Sequence, residues 1–209
     1  GKRYDKLVED MKEIKIENTS ELNKRSDPPW KAKKIPTIIY TPTTKKDDTE
    51  EQRMAAQKCI AQLRPTELEV YTDGSLGQDF KGGRGAVIGI RKKVEEKWID
   101  EEPIDIAEAT GVYSSSYRSE LKAMAIAISK IKNLNWTCGF LATDSMSLLQ
   151  KLESMNGTEG ELEGEVHRDI RQIQETKQFS LLWVPGHCDI LGNEIADKNA
   201  KEGIFKEPP

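Results

Sequence analysis

The stretch that decides the fold is WVPGHCDILGNEIAD, residues 183–197. It begins at the end of the apolar run LLWV, which is typical of a buried strand, and a turn at Pro185-Gly186 ends that run. A helix pattern follows, in which Asn193 is the predicted cap and Asp197 lies early. A histidine on a turn and a carboxylate early in the next helix can face one cleft. His187 and Asp197 therefore raise the question of which other residues lie there.

The composition describes a globular protein with a strongly charged surface. The chain has 209 residues, enough for one good-sized domain and an appendage, of which 33% are charged and 36% hydrophobic. Without a membrane-spanning apolar run or a signal-peptide pattern, we expect an intracellular location in the cytoplasm or nucleus. The chain begins with Gly1 rather than Met, so we expect a piece of a longer protein. Its three cysteines have no CxxC spacing and are predicted to be free thiols: Cys59, Cys138 and Cys188.

Charge is distributed unevenly along the chain. Residues 1–66 carry 15 Lys+Arg against 11 Asp+Glu, whereas the remainder carries 17 against 25. The first segment has no sustained hydrophobic period, and we predict a basic connector with one helix near 49–63, which Pro65 stops. The acidic remainder would repel phosphates. If it handles nucleic acid, bound divalent metal is the expected means of neutralising that repulsion.

From Glu67 onward the pattern predicts the element order β-β-β-α-β-α-α-β-α. The predicted strands are LEVYTDG, GGRGAVIGIRKK, VEEKWIDEEP, TCGFLATDS and QFSLLWV. The predicted helices are YRSELKAMAIAISKIKNL, SMSLLQKLESM, VHRDIRQIQETK and NEIADKNAKE, and the EGELEGE segment is predicted to be a solvated loop. Three antiparallel strands followed by α/β units indicate an α/β domain over residues 67–205. We predict a five-stranded mixed sheet flanked by helices, with residues 206–209 as a tail.

Four carboxylates fall at predicted element boundaries: Asp73, Glu120, Asp144 and Asp197. Each alone has an ordinary explanation as a turn residue, a cap or a partner of the helix dipole. If the first and fourth strands are neighbours, however, the two strand carboxylates lie close together and the two helices bring the others over the same edge. Four clustered carboxylates repel one another unless cations hold them. Ligands that are all oxygen favour Mg²⁺ or Mn²⁺ over zinc, and two such ions can drive an in-line phosphoryl displacement.

Taken together, these motifs resemble type 1 ribonuclease H over about residues 67–203. The resemblance is carried by TDGS at 72–75, YRSEL around Glu120, TDS at 143–145 and the stretch at 183–197. The order Asp, Glu, Asp, then His and Asp distinguishes this family from transposases and integrases, which use Asp, Asp, Glu. The resemblance implies a ribonuclease H-like fold and a metal-dependent endonuclease that hydrolyses the RNA strand of RNA/DNA hybrids. The products would carry 5′-phosphate and 3′-hydroxyl ends, and the cofactor would be two Mg²⁺ ions, which Mn²⁺ can replace.

The resemblance also implies residue roles. Asp73 and Asp144 would be shared by or flank the metals, and Glu120 would bind one metal and position the attacking water. Asp197 would complete the other metal site, and His187 would assist proton transfer or product departure. The implied substrate-binding residues are Gly74, Ser75, Ser115, Ser116, Arg118 and Asn193. The chain departs from the family in having SSSYR where an Asn-rich stretch is frequent, and EGELEGE where some members carry a basic substrate handle.

The connector indicates a host for the domain. DPPW, the polar spacer and the helix before the first strand are similar to the segment that joins reverse transcriptase to ribonuclease H in non-LTR retrotransposons of animals. The implied partners are an RNA/DNA hybrid and a reverse transcriptase in cis, with no membrane and no small-molecule cofactor. The domain would then remove template RNA during reverse transcription. The alternatives are a freestanding cellular enzyme, a DNA-strand-transfer enzyme on the same fold, and a catalytically weak hybrid- or RNA-binding module that needs its reverse transcriptase.

Overall fold

The computed structural model of the protein describes residues 36–112, 114–155 and 160–207, which fall within one compact unit. Residues 1–35 of the predicted connector and residues 208–209 of the predicted tail lie outside these ranges. Within them the element order is β1 (Ile38–Tyr40), α1 (Thr49–Leu63), β2 (Leu68–Leu76), β3 (Gly82–Val94), β4 (Lys97–Asp100), β5 (Ile104–Gly111), α2 (Ser116–Lys132), β6 (Cys138–Thr143), α3 (Met146–Ser154), α4 (Glu161–Thr176), β7 (Gln178–Trp183) and α5 (Leu191–Gly203). None of the helices in these ranges has the length and apolarity that a membrane span requires.

The predicted mixed sheet is confirmed. Its strand order is β1-β7-β6-β2-β3-β4, and β5 also pairs with β3. Strand β3 runs antiparallel to β2, β4 and β5, whereas β6 is parallel to both β2 and β7. The described part of the sheet has seven strands rather than the predicted five. The difference consists of the short edge strand β1 and of strand β5, which follows the predicted third strand.

The third core strand lies further along the chain than predicted. The segment VEEKWIDEEP supplies only the exposed four-residue strand β4, and the long partner of β3 is β5, with the sequence IDIAEATG. Two acidic residues obscure the strand pattern of β5, but both have partners in the folded chain. Asp105 accepts a hydrogen bond from Asn199 at 2.8 Å, and Glu108 pairs with Arg84 at 2.5 Å. These partners are distant in sequence, so the pattern alone did not reveal them.

Two hydrophobic layers cover the two faces of the sheet. Alternate residues of one strand point to opposite faces. Accordingly, Leu141 packs with helices α2, α3 and α4, whereas its neighbours Phe140 and Ala142 pack with α1 and α5. The fold is therefore a three-layer arrangement with the sheet in the middle, as the α/β prediction requires.

Residues 36–66 contribute to this same arrangement. Strand β1 pairs in parallel with β7, with Ile39 opposite Leu182. Helix α1 begins where the Asp48 side chain accepts a hydrogen bond from the Glu51 N–H at 2.8 Å. The buried residues of α1 pack on the same face of the sheet as α5. This half of the predicted connector is therefore structurally part of the unit that follows it.

The prediction of a solvated loop at EGELEGE is wrong. Helix α4 begins at Glu161, inside this segment. Glu161 and Glu163 lie in its first turn, where negative charge is favourable because of the helix dipole. The apolar stripe that follows, which includes Val166 and Ile170, is buried against the core. The acidic composition that suggested a loop is therefore the charged start of a helix.

Candidate active site

Two carboxylates emerge side by side from the centre of the sheet. The parallel pairing of β2 with β6 ends where Thr72 lies opposite Thr143. The next residues, Asp73 and Asp144, therefore lie beside each other where this pairing ends. The condition that the first and fourth predicted strands are neighbours is therefore met. Asp144 follows the end of its strand, whereas Asp73 lies inside β2, which continues to Leu76 through its pairing with β3.

A close contact between helix α2 and strand β2 brings in the third carboxylate. A Cβ atom on Gly74 would lie 2.3 Å from the backbone nitrogen of Glu120, so the helix rests directly on the strand at a residue without a side chain. The Glu120 side chain is only 7% exposed and shares a hydrogen bond with Asp73. One carboxylate oxygen from each of Asp73, Glu120 and Asp144 lies within 4.8 Å of the other two.

These three carboxyl groups lie where negative charge is unfavourable. Burial, with a further contribution from the charge of Asp144, raises the pKa of Asp73 to about 7. Burial, followed by the charge of Asp73, raises the pKa of Glu120 well above its usual range, and burial also raises the pKa of Asp144. In addition, Oε2 of Glu120 is buried and accepts no hydrogen bond from any residue in the described ranges. A hard divalent cation fits a buried group of oxygen ligands in which one carboxylate oxygen has no hydrogen-bond donor.

The fourth carboxylate lies at the margin of this group. Asp197 is the seventh residue of α5 rather than a first-turn residue, and its Oδ2 accepts a hydrogen bond from the Lys201 ammonium at 2.5 Å. Burial is the main cause of the raised pKa values of Asp73 and Asp144, and the charge of Asp197 adds to both. The charge of Asp197 therefore acts on the site, but Asp197 does not belong to the group of three residues whose carboxylate oxygens lie within 4.8 Å of one another.

The turn after β7 borders Asp144. A Cβ atom on Gly186 would lie 2.5 Å from Oδ2 of Asp144, so the turn packs against this carboxylate. His187 is exposed on the turn, with a φ of 57°. Burial raises the pKa of Asp144, and a charge on His187 partly offsets that effect, which places the imidazole within electrostatic reach of the carboxylate.

The prediction that Asn193 caps the last helix is wrong. Helix α5 begins at Leu191 with Ile190 in the N-cap position, and Asn193 is its third residue. In the first turn, Gly192 packs against the ring of Tyr71, where a Cβ atom would lie only 2.2 Å from the ring. Asn193 is 3% exposed and its side chain forms a hydrogen bond that lowers the pKa of Asp144 against the effect of burial. Asn193 therefore positions the Asp144 carboxylate.

The remaining predicted substrate residues lie on the elements that carry Asp73 and Glu120. Ser115 is the N-cap of α2, and its side chain accepts a hydrogen bond from the Arg118 N–H at 3.1 Å. Ser115, Ser116 and Arg118 are exposed, whereas Gly74 and Ser75 are half-buried. The start of α2 thus presents two hydroxyl groups and a guanidinium to solvent.

Sequence reasoning missed a buried hydroxyl cluster under the start of α2. The Ser114 hydroxyl lies 3.1 Å from those of Thr110 and Ser119, and Thr110 and Ser119 are 3.4 Å apart. These hydrogen bonds connect the end of β5 to the first turn of α2, one residue before Glu120. Serine-rich segments favour helix caps, but nothing in SSSYRS shows which hydroxyls turn inward.

We expect the metal-free protein to become less stable as the pH rises from 5 to 8. The raised pKa values of Asp73 and Glu120 mean that their protonated forms favour the fold. This stabilisation is complete below the usual carboxyl pKa of about 4 and is lost as the pH rises through the folded-state values. In EDTA, the melting temperature should fall by about 4 to 8 °C more in the wild type than in the Asp73→Asn variant. If calorimetry gives the same dependence of melting temperature on pH for both proteins, burial of the Asp73 carboxyl does not cause the loss of stability.

The part of the chain that carries these carboxylates is similar to known proteins. A family model described as RNase H matches residues 65–205. Ribonuclease H1 of Rattus norvegicus is 25% identical over 169 residues, which are 76% of this chain and 57% of the relative. Ribonuclease H1 of Homo sapiens is 28% identical over 145 residues, 64% of this chain and 49% of the relative. The Pol polyprotein of equine infectious anemia virus (strain Wyoming) is 26% identical over 172 residues, 82% of this chain and 13% of the polyprotein.

The chain therefore spans about half the length of the ribonuclease H1 proteins that it matches. Two solved structures share the fold. The foamy viral protease-reverse transcriptase in complex with dsDNA has a TM-score of 0.50 and 18% identity, covering 68% of this chain and 96% of that one. LC9-RNase H1, a type 1 RNase H with the type 2 active-site motif, has a TM-score of 0.50 and 19% identity. The match covers 66% of this chain and 72% of that one. At these identities, the likeness shows the architecture alone.

Proposed function

The chain belongs to the RNase H family, and from that premise we propose that it is a metal-dependent endonuclease acting on RNA/DNA hybrids. It would hydrolyse the RNA strand and leave 5′-phosphate and 3′-hydroxyl ends. The observation that carries the proposal is the buried group of Asp73, Glu120 and Asp144, whose oxygens lie within 4.8 Å of one another. Nothing in the packing of the sheet requires three adjacent buried carboxylates. Their proximity is unfavourable unless a cation offsets it.

The residues fit two divalent ions. Asp73, Glu120, Asp144 and Asp197 would hold two Mg²⁺ ions, for which Mn²⁺ can substitute. Such ions activate a water molecule and stabilise the departing oxygen in an in-line phosphoryl displacement. The unpartnered Oε2 of Glu120 supports this assignment, since a buried oxygen without a hydrogen-bond donor is available for a metal.

Other side chains would orient and exchange protons. Asn193 holds Asp144 through its hydrogen bond, which fixes the direction of that carboxylate. Glu120, held against β2 at Gly74, would position the attacking water. His187 is exposed and within electrostatic reach of Asp144, so it can exchange protons with solvent during proton transfer or product departure.

The start of α2 would contact the hybrid. Ser115 uses its oxygen as an acceptor toward the Arg118 N–H, which leaves its hydroxyl hydrogen free to donate to a phosphate. The N-terminus of a helix favours an anion, and Ser116 and Arg118 are exposed beside it. Gly74 and Ser75 lie on the neighbouring strand beyond Asp73. Contacts to 2′-hydroxyls in the minor groove would distinguish RNA from DNA.

We further propose that a reverse transcriptase in cis supplies much of the grip on the substrate, in a non-LTR retrotransposon that removes its template RNA. The likeness to a retroviral Pol polyprotein supports a polymerase context. The net charge of −4 and the acidic start of α4 also support it, because this chain offers little positive charge to attract a nucleic acid backbone. The same acidic helix favours the second candidate, a catalytically weak hybrid-binding module that depends on its polymerase.

The deciding experiment is cleavage of an end-labelled RNA strand presented as an RNA/DNA hybrid, as an RNA duplex and as a single strand. We expect cleavage of the hybrid alone, in Mg²⁺ or Mn²⁺ and not in EDTA. Equal cleavage in EDTA would contradict the metal-dependent reaction. Tight binding without cleavage would favour the binding module, and neither binding nor cleavage would favour dependence on the polymerase.

Replacing His187 with Ala should slow the reaction less than losing a metal ligand. We expect kcat to fall by about 10- to 100-fold with little change in KM, because the imidazole would assist proton transfer rather than hold the substrate. Asp189→Ala is the matched control, since Asp189 is exposed on the same turn with a similar φ of 54°. A similar loss in both variants would mean that the conformation of the turn, and not the imidazole, is responsible.

A further inference from the structure

One carboxylate of the candidate site already has a cation beside it. The Lys201 ammonium lies 2.5 Å from Oδ2 of Asp197, one helical turn further along α5. This order, with the acid four residues before the base, is the favourable one for a helical ion pair. By contrast, Asp73, Glu120 and Asp144 make no ion pair with any residue that the structure describes.

We propose that Lys201 is an internal counter-ion that occupies the cation position at Asp197 and must move away before Asp197 can bind a divalent ion. The inference rests on the proposed metal-dependent function and adds a control on metal loading. One positive charge beside the carboxylate repels an incoming cation and competes for the same oxygen. The lysine can leave, because its side chain is 59% exposed while that of Asp197 is 18% exposed.

The consequence is that the two metal positions fill unequally. The group of Asp73, Glu120 and Asp144 has no ion-pair partner among the described residues and would bind the first ion. The position that includes Asp197 would bind the second ion more weakly, since loading it requires the Lys201 contact to break. Lys201 is thus a positioning residue that sets the concentration of metal at which the site becomes complete.

The test measures metal binding and not cleavage. Mn²⁺ is titrated into the purified protein, and the bound ion is counted from the loss of the free-ion EPR signal. For Lys201→Gln we expect the weaker dissociation constant to fall by about three- to tenfold, with a smaller change in the tighter one. Without metal, the same variant should melt about 1 to 3 °C below the wild type, and this difference should vanish or reverse at saturating Mn²⁺.

Lys198→Gln is the matched control. It removes the same charge from the same helix, but its ammonium lies 3.8 Å from Glu202. Among the described residues, the ion-pair partner of Asp197 is Lys201 and not Lys198. We expect both of its Mn²⁺ constants to stay within about twofold of the wild type. An equal effect of the two variants, or an unchanged weaker constant in Lys201→Gln, would overturn the proposal.

Failure of the underlying function has a different signature. If wild-type protein binds no Mn²⁺, or if Asp73→Asn binds it as well as the wild type, the metal-dependent function itself is wrong and the role of Lys201 is wrong with it. If the wild type binds two ions and Asp73→Asn loses the tighter one, the metal site stands. Lys201→Gln then decides the role of the lysine alone.

Discussion

The Asp73→Asn variant is expected to lose cleavage of the RNA/DNA hybrid, with kcat lower by at least about a thousandfold. Asp73 shares a hydrogen bond with Glu120, is affected by the charge of Asp144, and has an oxygen within 4.8 Å of theirs. An amide keeps the shape of the side chain but offers one neutral oxygen where the proposed metals need an anionic one. Single-turnover cleavage at saturating Mg²⁺ separates this loss from weaker substrate binding.

The same variant should fold as well as the wild type or better. Burial and the charge of Asp144 raise the pKa of Asp73, so its ionised form is unfavourable in the absence of metal. Removing that charge should raise the melting temperature in EDTA at pH 8 by about 4 to 8 °C. Loss of activity together with a lower melting temperature would indicate a damaged fold instead of a missing ligand.

Asp79→Asn provides the matched control for both measurements. Asp79 is exposed on the short turn between β2 and β3, with a φ of 56°, a backbone conformation that Asn tolerates as well as Asp does. It undergoes the same chemical change outside the carboxylate group. We expect its activity to stay within about twofold of the wild type and its melting temperature to be unchanged. Retention of more than a tenth of the activity in Asp73→Asn would contradict the assigned role.

The features that the sequence predicted well depend on local pattern and strand order. Asp73 and Asp144 were expected to lie together because each follows an apolar run, and the structure pairs those runs in parallel with Thr72 opposite Thr143. The mixed sheet and its flanking helices follow from the same periodicities. These relations need only the hydrophobic alternation and the element order, both of which the sequence contains.

The features that the sequence did not predict depend on tertiary partners. Strand β5 was displaced in the prediction because Asp105 and Glu108 interrupt its apolar pattern, and their partners Asn199 and Arg84 are distant in sequence. Asn193 is predicted as a cap because caps favour Asn, but the helix begins at Leu191 and the Asn193 side chain bonds to Asp144 instead.

The Lys201 contact was, in contrast, readable from the sequence. An Asp followed by a Lys four residues later in a helix pattern predicts an ion pair, and Asp197 and Lys201 have that spacing. The resemblance implies only a metal ligand at Asp197, so its pairing with Lys201 was not expected. Helix charge patterns therefore need to be considered at candidate metal ligands as well as on solvent-exposed faces.

Gly74→Ala should both destabilise the protein and lower its activity. A Cβ atom at residue 74 would lie 2.3 Å from the nitrogen of Glu120 and 2.5 Å from the carbonyl carbon of Ser119, and backbone atoms cannot rotate away as a side chain can. The start of α2 must therefore move outward, against the hydroxyl cluster that holds it. We expect a loss of about 3 kcal/mol in the free energy of unfolding and a fall of about 6 to 12 °C in the melting temperature.

The effect on catalysis follows from the same displacement. Glu120 moves with its helix, and a misplacement of about 1 Å in a catalytic geometry costs roughly a hundredfold in rate. Activity is measured well below the melting temperature, so that the fraction of folded protein does not limit it. Gly164→Ala is the control, because its Cβ would meet only the Arg168 side chain, at 3.5 Å, inside helix α4. That change should stabilise the protein by about 0.5 to 1 kcal/mol and leave the activity unchanged.

This comparison also separates two roles for Gly74. The family resemblance implies substrate binding for Gly74, whereas the structure shows a packing contact with Glu120. If substrate binding is its main role, Gly74→Ala should raise KM for the hybrid while the melting temperature and kcat stay near wild-type values. If the packing contact dominates, kcat and the melting temperature fall together. A second substitution at the same residue, Gly74→Ser, should then be at least as damaging, because it adds a hydroxyl group to the Cβ atom that already has no room.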